Sequence, residues 1–339
     1  MKKVLIIGGT GTISTPITTM LCEQGFDVSI LNRGNNNANL PANAKWVKGD
    51  ISKKEEMKVL FADKEYDSVI NFIVWNEEDA KKNIEIFKEK TKQFIYISTV
   101  CVLDHETTCN IDEDVAKGNQ YSDYGRNKAA AEAAFLKAQD DFGFPITIVR
   151  PTQTYSDHRI PLSVKGKGCW SVVQRMLAGK EVIVHGDGQS VWASTHAKDF
   201  AKGFFPIVGN PATIGEIYQI MNPESHTWDM VYQTLAELLN VEYKPVYIGT
   251  DLLKHSKHYD LMGSIQGDKR WSNIFAIDKL KTINPDFSCE IDLKTGLQMY
   301  LAYMEEHPEA KVAEPEFDAW CDQTITLYQG LVEQFVVEI

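Results

Sequence analysis

Tyr124-Gly-Arg-Asn-Lys128 places a phenol and an ammonium four residues apart. On a helix that spacing puts both on one face. A tyrosine titrates near ~10 in water, and a neighbouring cation favours its phenolate. Such a pair can take a proton from a substrate hydroxyl near working pH. Of the chain's thirteen tyrosines only Tyr124 has a lysine four residues on, which separates it from an incidental aromatic–lysine pair. Ser98 and Thr99 follow an apolar stretch upstream. A hydroxyl at the end of a strand can hold a reacting oxygen by hydrogen bond; plain strand-end capping is the competing reading.

A second chemistry-bearing stretch is Val4 to Ser14, VLIIGGTGTIS. Val4-Leu5-Ile6-Ile7 reads as a buried parallel strand. Gly8 and Gly9 allow a sharp turn, and a helix is expected to start near Thr12. Its first turn offers unpaired N–H groups and a positive dipole end, with no Asp or Glu close by to compete. Gly8-x-x-Gly11-x-x-Ser14 is therefore a dinucleotide fingerprint, with serine at the third small position. The pyrophosphate is expected over Gly8, Thr10, Gly11, Thr12 and Ile13. Nicotinamide enzymes that use NAD place an acid at the end of the second strand for the ribose 2′-hydroxyl. Here Asn32-Arg33 stands at that place, and Arg33 suits a 2′-phosphate, which favours NADP over NAD.

The elements that must carry these residues alternate. Expected strands are 4–7, 27–31, 46–50, 68–74, 93–98 and 145–149. Expected helices lie at 12–24, 53–61, 77–91 and 124–142, the second capped by Ser52 with Glu55 closing a capping box. A polar loop spans Asn35 to Asn43. This rhythm means a doubly wound parallel α/β sheet, a Rossmann fold, with ligands at the strand C-termini. Later come helices at 169–178, 196–208, 227–239, 292–306 and 316–333, and strands at 181–184, 217–221 and 244–248. Residues 1–155 read as the dinucleotide-binding domain. Residues 156–339 read mostly as a smaller C-terminal α/β part, with elements at about 181–222 returning to the first sheet.

Composition sets limits. The 339 residues are 43% hydrophobic and 24% charged, an ordinary globular balance, and the formal charge of −12 repels a phosphate-backbone partner. The six cysteines lack C-x-x-C and metal spacing, so they read as reduced thiols in a cytosol, and no metal is expected. Lys2-Lys3 before the first apolar run mimics a signal start, but Gly8-Gly9 ends the run too soon. No run approaches the ~20 apolar residues of a membrane span.

Gly8-Gly-Thr-Gly11, Gly49-Asp50, Ser98-Thr99, Tyr124-x-x-x-Lys128 and Val149-Arg150-Pro151 occur in the order seen in extended short-chain dehydrogenase/reductases. Over roughly residues 2 to 305 the chain resembles the NAD(P)-dependent epimerase/dehydratase family. The resemblance implies a Rossmann domain carrying the cofactor and a C-terminal part shaping the substrate pocket. It implies Asp50, with Ile51 beside it, near the adenine, and Ser98 and Lys128 on the cofactor, the lysine at the nicotinamide ribose. It implies Tyr124 as acid/base and Thr99 as its hydroxyl partner. Members of the family often dimerise through a four-helix bundle.

Two departures bear on substrate. Members that dehydrate sugar nucleotides carry an acidic pair directly after this threonine; here stand Val100 and Cys101. Members that bind nucleoside diphosphates carry an arginine shortly before a histidine; Trp192 precedes His196 here. An indole cannot pair with a diphosphate, so the diphosphate would need Arg159, Lys165 or Lys167. Trp192 either stacks on a sugar face or is core. Val100, Cys101, Gln153, His158, Arg159 and Trp192 are the candidate substrate residues. The expectation is an NAD(P)-dependent epimerase or oxidoreductase acting on a hydroxyl or ketone of a sugar-like small molecule. The alternatives are a simple NADP-dependent reductase or dehydrogenase, or a non-catalytic relative that binds RNA or senses redox state.

Overall fold

The computed structural model describes residues 1–35 and 40–338; the middle of the polar loop expected at 35–43 lies outside them. The chain divides into two compact units. One comprises Met1–Thr154, Thr195–Pro223 and Phe275–Glu290, the other Tyr155–Ser194, Glu224–Ile274 and Ile291–Ile339.

The first unit is built on β1 (Lys3–Ile7), β2 (Asp27–Asn32), β3 (Lys45–Lys48), β4 (Ser68–Asn71) and β5 (Phe94–Ile97), with strands Ile146–Pro151 and Ile217–Ile220. They form one seven-stranded sheet in the order 217–220, 146–151, β5, β4, β1, β2, β3. Every neighbouring pair runs parallel. Helices α1 (Ser14–Glu23), α2 (Lys54–Leu60), α3 (Glu77–Phe87) and α4 (Asp123–Phe142) make the crossovers. The apolar run that begins β1 has its reason here, since Val4, Leu5, Ile6 and Ile7 are wholly buried. Parallel strands covered on both faces need such continuous apolar sequence.

Several local expectations are corrected. Ser52 does not cap α2. Its hydroxyl and its N–H both donate to Asp50 Oδ1, at 2.8 and 3.0 Å, and Lys53 stands at the N-cap with no side-chain capping bond. The carboxylate two residues upstream wins that hydroxyl. The helix expected at 77–91 ends at Phe87. The helix expected at 196–208 tightens into a 3₁₀ turn over Phe205–Ile207, where Pro206 has no N–H for the α pattern. Of the stretch 181–222, only Ile217–Ile220 joins the large sheet. Strand Val182–His185 pairs instead with Pro245–Ile248 in the second unit.

That second unit packs helices Trp170–Leu177, Trp228–Leu239, Leu293–Glu306 and Pro315–Glu338 around its own core, centred on Val184, Val231, Leu235 and Leu297. It also holds a π-helix over Met262–Lys269 and short helical turns such as Thr250–Leu253, which no periodicity in the sequence marks. No described helix is long and apolar enough to cross a membrane.

Candidate active site

The glycine turn opens where β1 ends. Gly8 has φ +82°, and a side chain there would meet Ile73 Cγ2 at 2.8 Å, so both backbone and space require glycine. Ser14 ties the turn. Its hydroxyl accepts from the Gly11 N–H and donates to the Gly8 carbonyl, each at 2.8 Å. The small third position of the fingerprint thus acts as a clasp. Gly11, Thr12 and Ile13 lead into α1, whose first turn carries no acid.

A cleft of about 510 Å³ lies over the turn, lined by Gly8, Thr10, Asn32, Arg33, Asp50, Ile51, Trp75 and Asp79 among others. At one side Asn32 Oδ1 accepts from Gly34 N–H at 2.8 Å and from Trp46 Nε1 at 2.9 Å. An amide oxygen has two lone pairs, and both are engaged. Arg33 is exposed. Hydrogen bonds from Ser52, more than the charges of Arg33 and Lys53, hold the Asp50 carboxyl below the usual range.

Tyr124 and Lys128 lie on α4. Ser122 caps that helix, accepting from Gly125 N–H at 3.1 Å. Gly125 lets α4 press against the turn Val100–Val102; a Cβ there would stand 2.2 Å from the Cys101 carbonyl. Tyr124 is 44% exposed, whereas Lys128 is buried. Lys128 Nζ donates to the carbonyls of Val74 at 2.9 Å and Ile97 at 2.7 Å, which fixes it to the rims of β4 and β5. It lies 6.0 Å from the Tyr124 ring, 5.7 Å from Trp75 and 4.5 Å from Tyr96. Burial lowers the amine to about 7, against the opposing charges of Glu132 and Asp79. Ser98 is buried at the end of β5. Thr99 Oγ1 accepts from Cys101 N–H at 3.1 Å, capping the following 3₁₀ turn. A hydroxyl that accepts still carries a proton to donate.

Trp75 belongs to none of the sequence motifs. The residue is 53% exposed and borders the cleft, and its ring stands 6.2 Å from that of Tyr124. The signal available was a large aromatic just past the end of a strand, on the ligand rim.

The candidate substrate residues divide between the units. Val100 and Cys101 are buried in the 3₁₀ turn beneath α4, and Gln153 is half-buried. His158, Arg159 and Trp192 belong to the second unit. His158 and Arg159 are exposed, and the His158 ring lies 4.9 Å from Tyr303. Trp192 is 1% exposed and 6.4 Å from the Trp228 ring, the packing of a core residue. Among the described residues no group of three or more His, Cys, Asp or Glu could hold a metal.

Comparison with known proteins bears on the family and the fold. The NAD dependent epimerase/dehydratase family matches residues 4–220. A 2′-dehydrokanamycin reductase of Streptomyces kanamyceticus is 22% identical over 289 residues, 84% of this chain and 80% of the relative. Among solved structures, dTDP-glucose 4,6-dehydratase of Bacillus anthracis in complex with NAD superposes with a TM-score of 0.72 at 19% identity, covering 91% of this chain and 98% of that one. UDP-glucuronic acid 4-epimerase of Bacillus cereus, with UDP-glucuronic acid and NAD, does so at 0.71 and 19%, covering 90% and 99%. With one family spanning well over half its length, the chain belongs to the NAD dependent epimerase/dehydratase family, enzymes of the extended short-chain dehydrogenase/reductase type.

Proposed function

We propose that the protein interconverts a secondary hydroxyl and a ketone on a sugar-like substrate, using a bound nicotinamide dinucleotide and Tyr124 as the acid/base. The observation that carries this reading is the exposed Tyr124 phenol and the buried Lys128 amine on one face of α4, beside Trp75 of the glycine-turned cleft.

The cleft fits such a cofactor. Gly8 leaves no side chain above the turn, the first turn of α1 offers N–H groups without a competing acid, and Asp50 and Arg33 line the same cavity. When bound, the dinucleotide supplies a hydride acceptor and donor. The backbone from Gly8 to Ile13 would hold the pyrophosphate, and Asp50 with Ile51 the adenine side. The Asn32 oxygen already takes two N–H donors, so it is poorly placed to accept from a ribose 2′-hydroxyl. Arg33 at the same rim favours a 2′-phosphate, which supports NADP.

The chain's own groups then have distinct tasks. Lys128 lends positive charge beside the phenol, so that Tyr124 can take the proton of the substrate hydroxyl and return it. Thr99 donates its hydroxyl proton to the reacting oxygen. Val100 and Cys101 put no carboxylate beside Thr99, which argues against expulsion of a hydroxide. Trp192 in the core, where an arginine would meet a diphosphate, argues against a substrate held by a nucleoside diphosphate. The reductase among the relatives and the epimerase among the structural neighbours support hydride exchange at a carbonyl carbon.

Tyr124→Phe keeps the ring and removes the proton carrier. Turnover, read as oxidation or reduction of bound cofactor by candidate sugars, is expected to fall about 10²–10⁴-fold, with cofactor affinity by calorimetry nearly unchanged. Near-full turnover in this variant would overturn the assignment.

A further inference from the structure

Tyr124, Lys128 and Glu132 are spaced four apart along α4, so the face that presents the phenol continues inward past the amine to a carboxylate. Burial deepens along it: Tyr124 is half-exposed, Lys128 2% and Glu132 0%. Nothing in the proton transfer described above uses Glu132. Yet a carboxylate at that depth is rare unless it is firmly paired.

Its partners come from two other segments. Arg150 grips it with two parallel bonds, Nε to Oε1 at 3.0 Å and Nη2 to Oε2 at 2.8 Å. Lys117 Nζ reaches Oε2 at 2.9 Å. Arg150 is itself buried and donates its other nitrogen to the Glu113 carbonyl at 3.1 Å. Burial pushes the Glu132 carboxyl up, but the bonds and charge of Arg150, with that of Lys117, bring it below the ordinary range. Glu132 is therefore a fixed negative charge. A buried ion pair of this kind adds little net stability, because desolvation offsets the attraction.

Lys128 meets no carboxylate directly. Its hydrogen bonds go to two neutral carbonyls, Val74 and Ile97, and its other near neighbours are the rings of Tyr96, Trp75 and Tyr124. Burial keeps the Tyr96 phenol neutral. The anions acting on the amine are Glu132 from its own helix and Asp79 from α3, with Glu132 the stronger. We propose that Glu132 is a positioning residue that keeps Lys128 a cation, and that Arg150 with Lys117 fixes the carboxylate in the place from which it does so. This rests on the reading of Tyr124 and Lys128 as the acid/base pair.

The test is the titration of the Lys128 amine in full-length protein, followed by nitrogen-15 NMR of labelled lysine and assigned with Lys128→Met. In Glu132→Gln the midpoint is expected about one pH unit lower or more, while Glu132→Asp stays near the parent. The alkaline limb of the pH–rate profile should move down by the same amount. If Glu132→Gln leaves the buried Arg150 charge too costly to fold, Glu132→Gln/Arg150→Met removes both charges and should still lower the midpoint. An unmoved midpoint in either folded variant overturns the proposal, and so does failure of both to fold, which would make Glu132 a folding element only. Failure of the acid/base reading is separate: it appears as full turnover in Tyr124→Phe, whatever Lys128 titrates at.

Discussion

Lys128 is buried where a charged amine is costly, yet it is held by two carbonyls and no carboxylate. A neutral amine has two N–H donors and an ammonium three, so the two bonds serve either form. That is why burial can draw its pKa down to about 7 without leaving the side chain loose. Arg33 is the opposite case, an exposed cation at the rim of the cleft. A charge-assisted bond to a 2′-phosphate is worth roughly 1.5–3 kcal/mol. Arg33→Ala is therefore expected to weaken NADPH binding about tenfold or more in calorimetric titration, with NADH barely changed. Equal loss for both would mean that Arg33 stacks on adenine and does not read the phosphate.

At the scale of elements, the docking of α4 sets where Tyr124 stands beside Trp75, at the border of the cleft. Gly125 makes that docking close, and two effects oppose each other there. Alanine is favoured over glycine inside a helix by about 1 kcal/mol. A Cβ at 2.2 Å from the Cys101 carbonyl oxygen, however, meets backbone that cannot swing aside, and overpacking costs typically about 1–3 kcal/mol. We expect sterics to win: Gly125→Ala should lower Tm by several degrees and slow turnover as α4 lifts. A variant at least as stable as the parent would show that the turn Val100–Val102 yields. The glycine fingerprint, the Tyr124–Lys128 spacing and the βα alternation were legible because each is local and periodic. What was not legible depended on partners distant in sequence. Val182–His185 and Ile217–Ile220 are similar short apolar strands, and nothing within either says which sheet it joins. The same holds for Ser52, drawn to Asp50, and for Trp75 and Trp192, indoles of which one is exposed and the other buried.

Across the whole molecule, the acid response follows from which bases are buried. In the second unit, His185 Nε2 lies 3.1 Å from the Lys269 carbonyl, which can only accept. That nitrogen is therefore protonated, and Nδ1, 2.9 Å from the Ser163 hydroxyl, accepts as part of a neutral ring. His226 is likewise buried, against Ser194 at 3.2 Å. Burial lowers both rings to about 4, below the ~6.5 of an unfolded histidine. Between those values the unfolded chain binds more protons than the folded one, so stability is lost as pH falls from about 6.5 toward 4. At about 1.4 kcal/mol per pH unit and per group, the pair accounts for several kcal/mol. The carboxylates held below their ordinary range, such as Asp67 and Asp292, give up their contribution only at lower pH still. Glu113, which burial pushes up, acts in the opposite sense, one group against two. Urea denaturation at pH 7.5, 6.5, 5.5 and 4.5 is expected to show a midpoint that falls slightly from 7.5 to 6.5, where the buried Lys128 amine takes up its proton later than an unfolded lysine does, and then falls steeply below 6.5. The loss should appear first in probes of the second unit, such as the near-ultraviolet signal of buried Trp192 and Trp228. His226→Gln should flatten the slope by about half. A midpoint unchanged down to pH 4.5 would mean that these rings take up protons without unfolding, and that their burial is not the source of acid sensitivity.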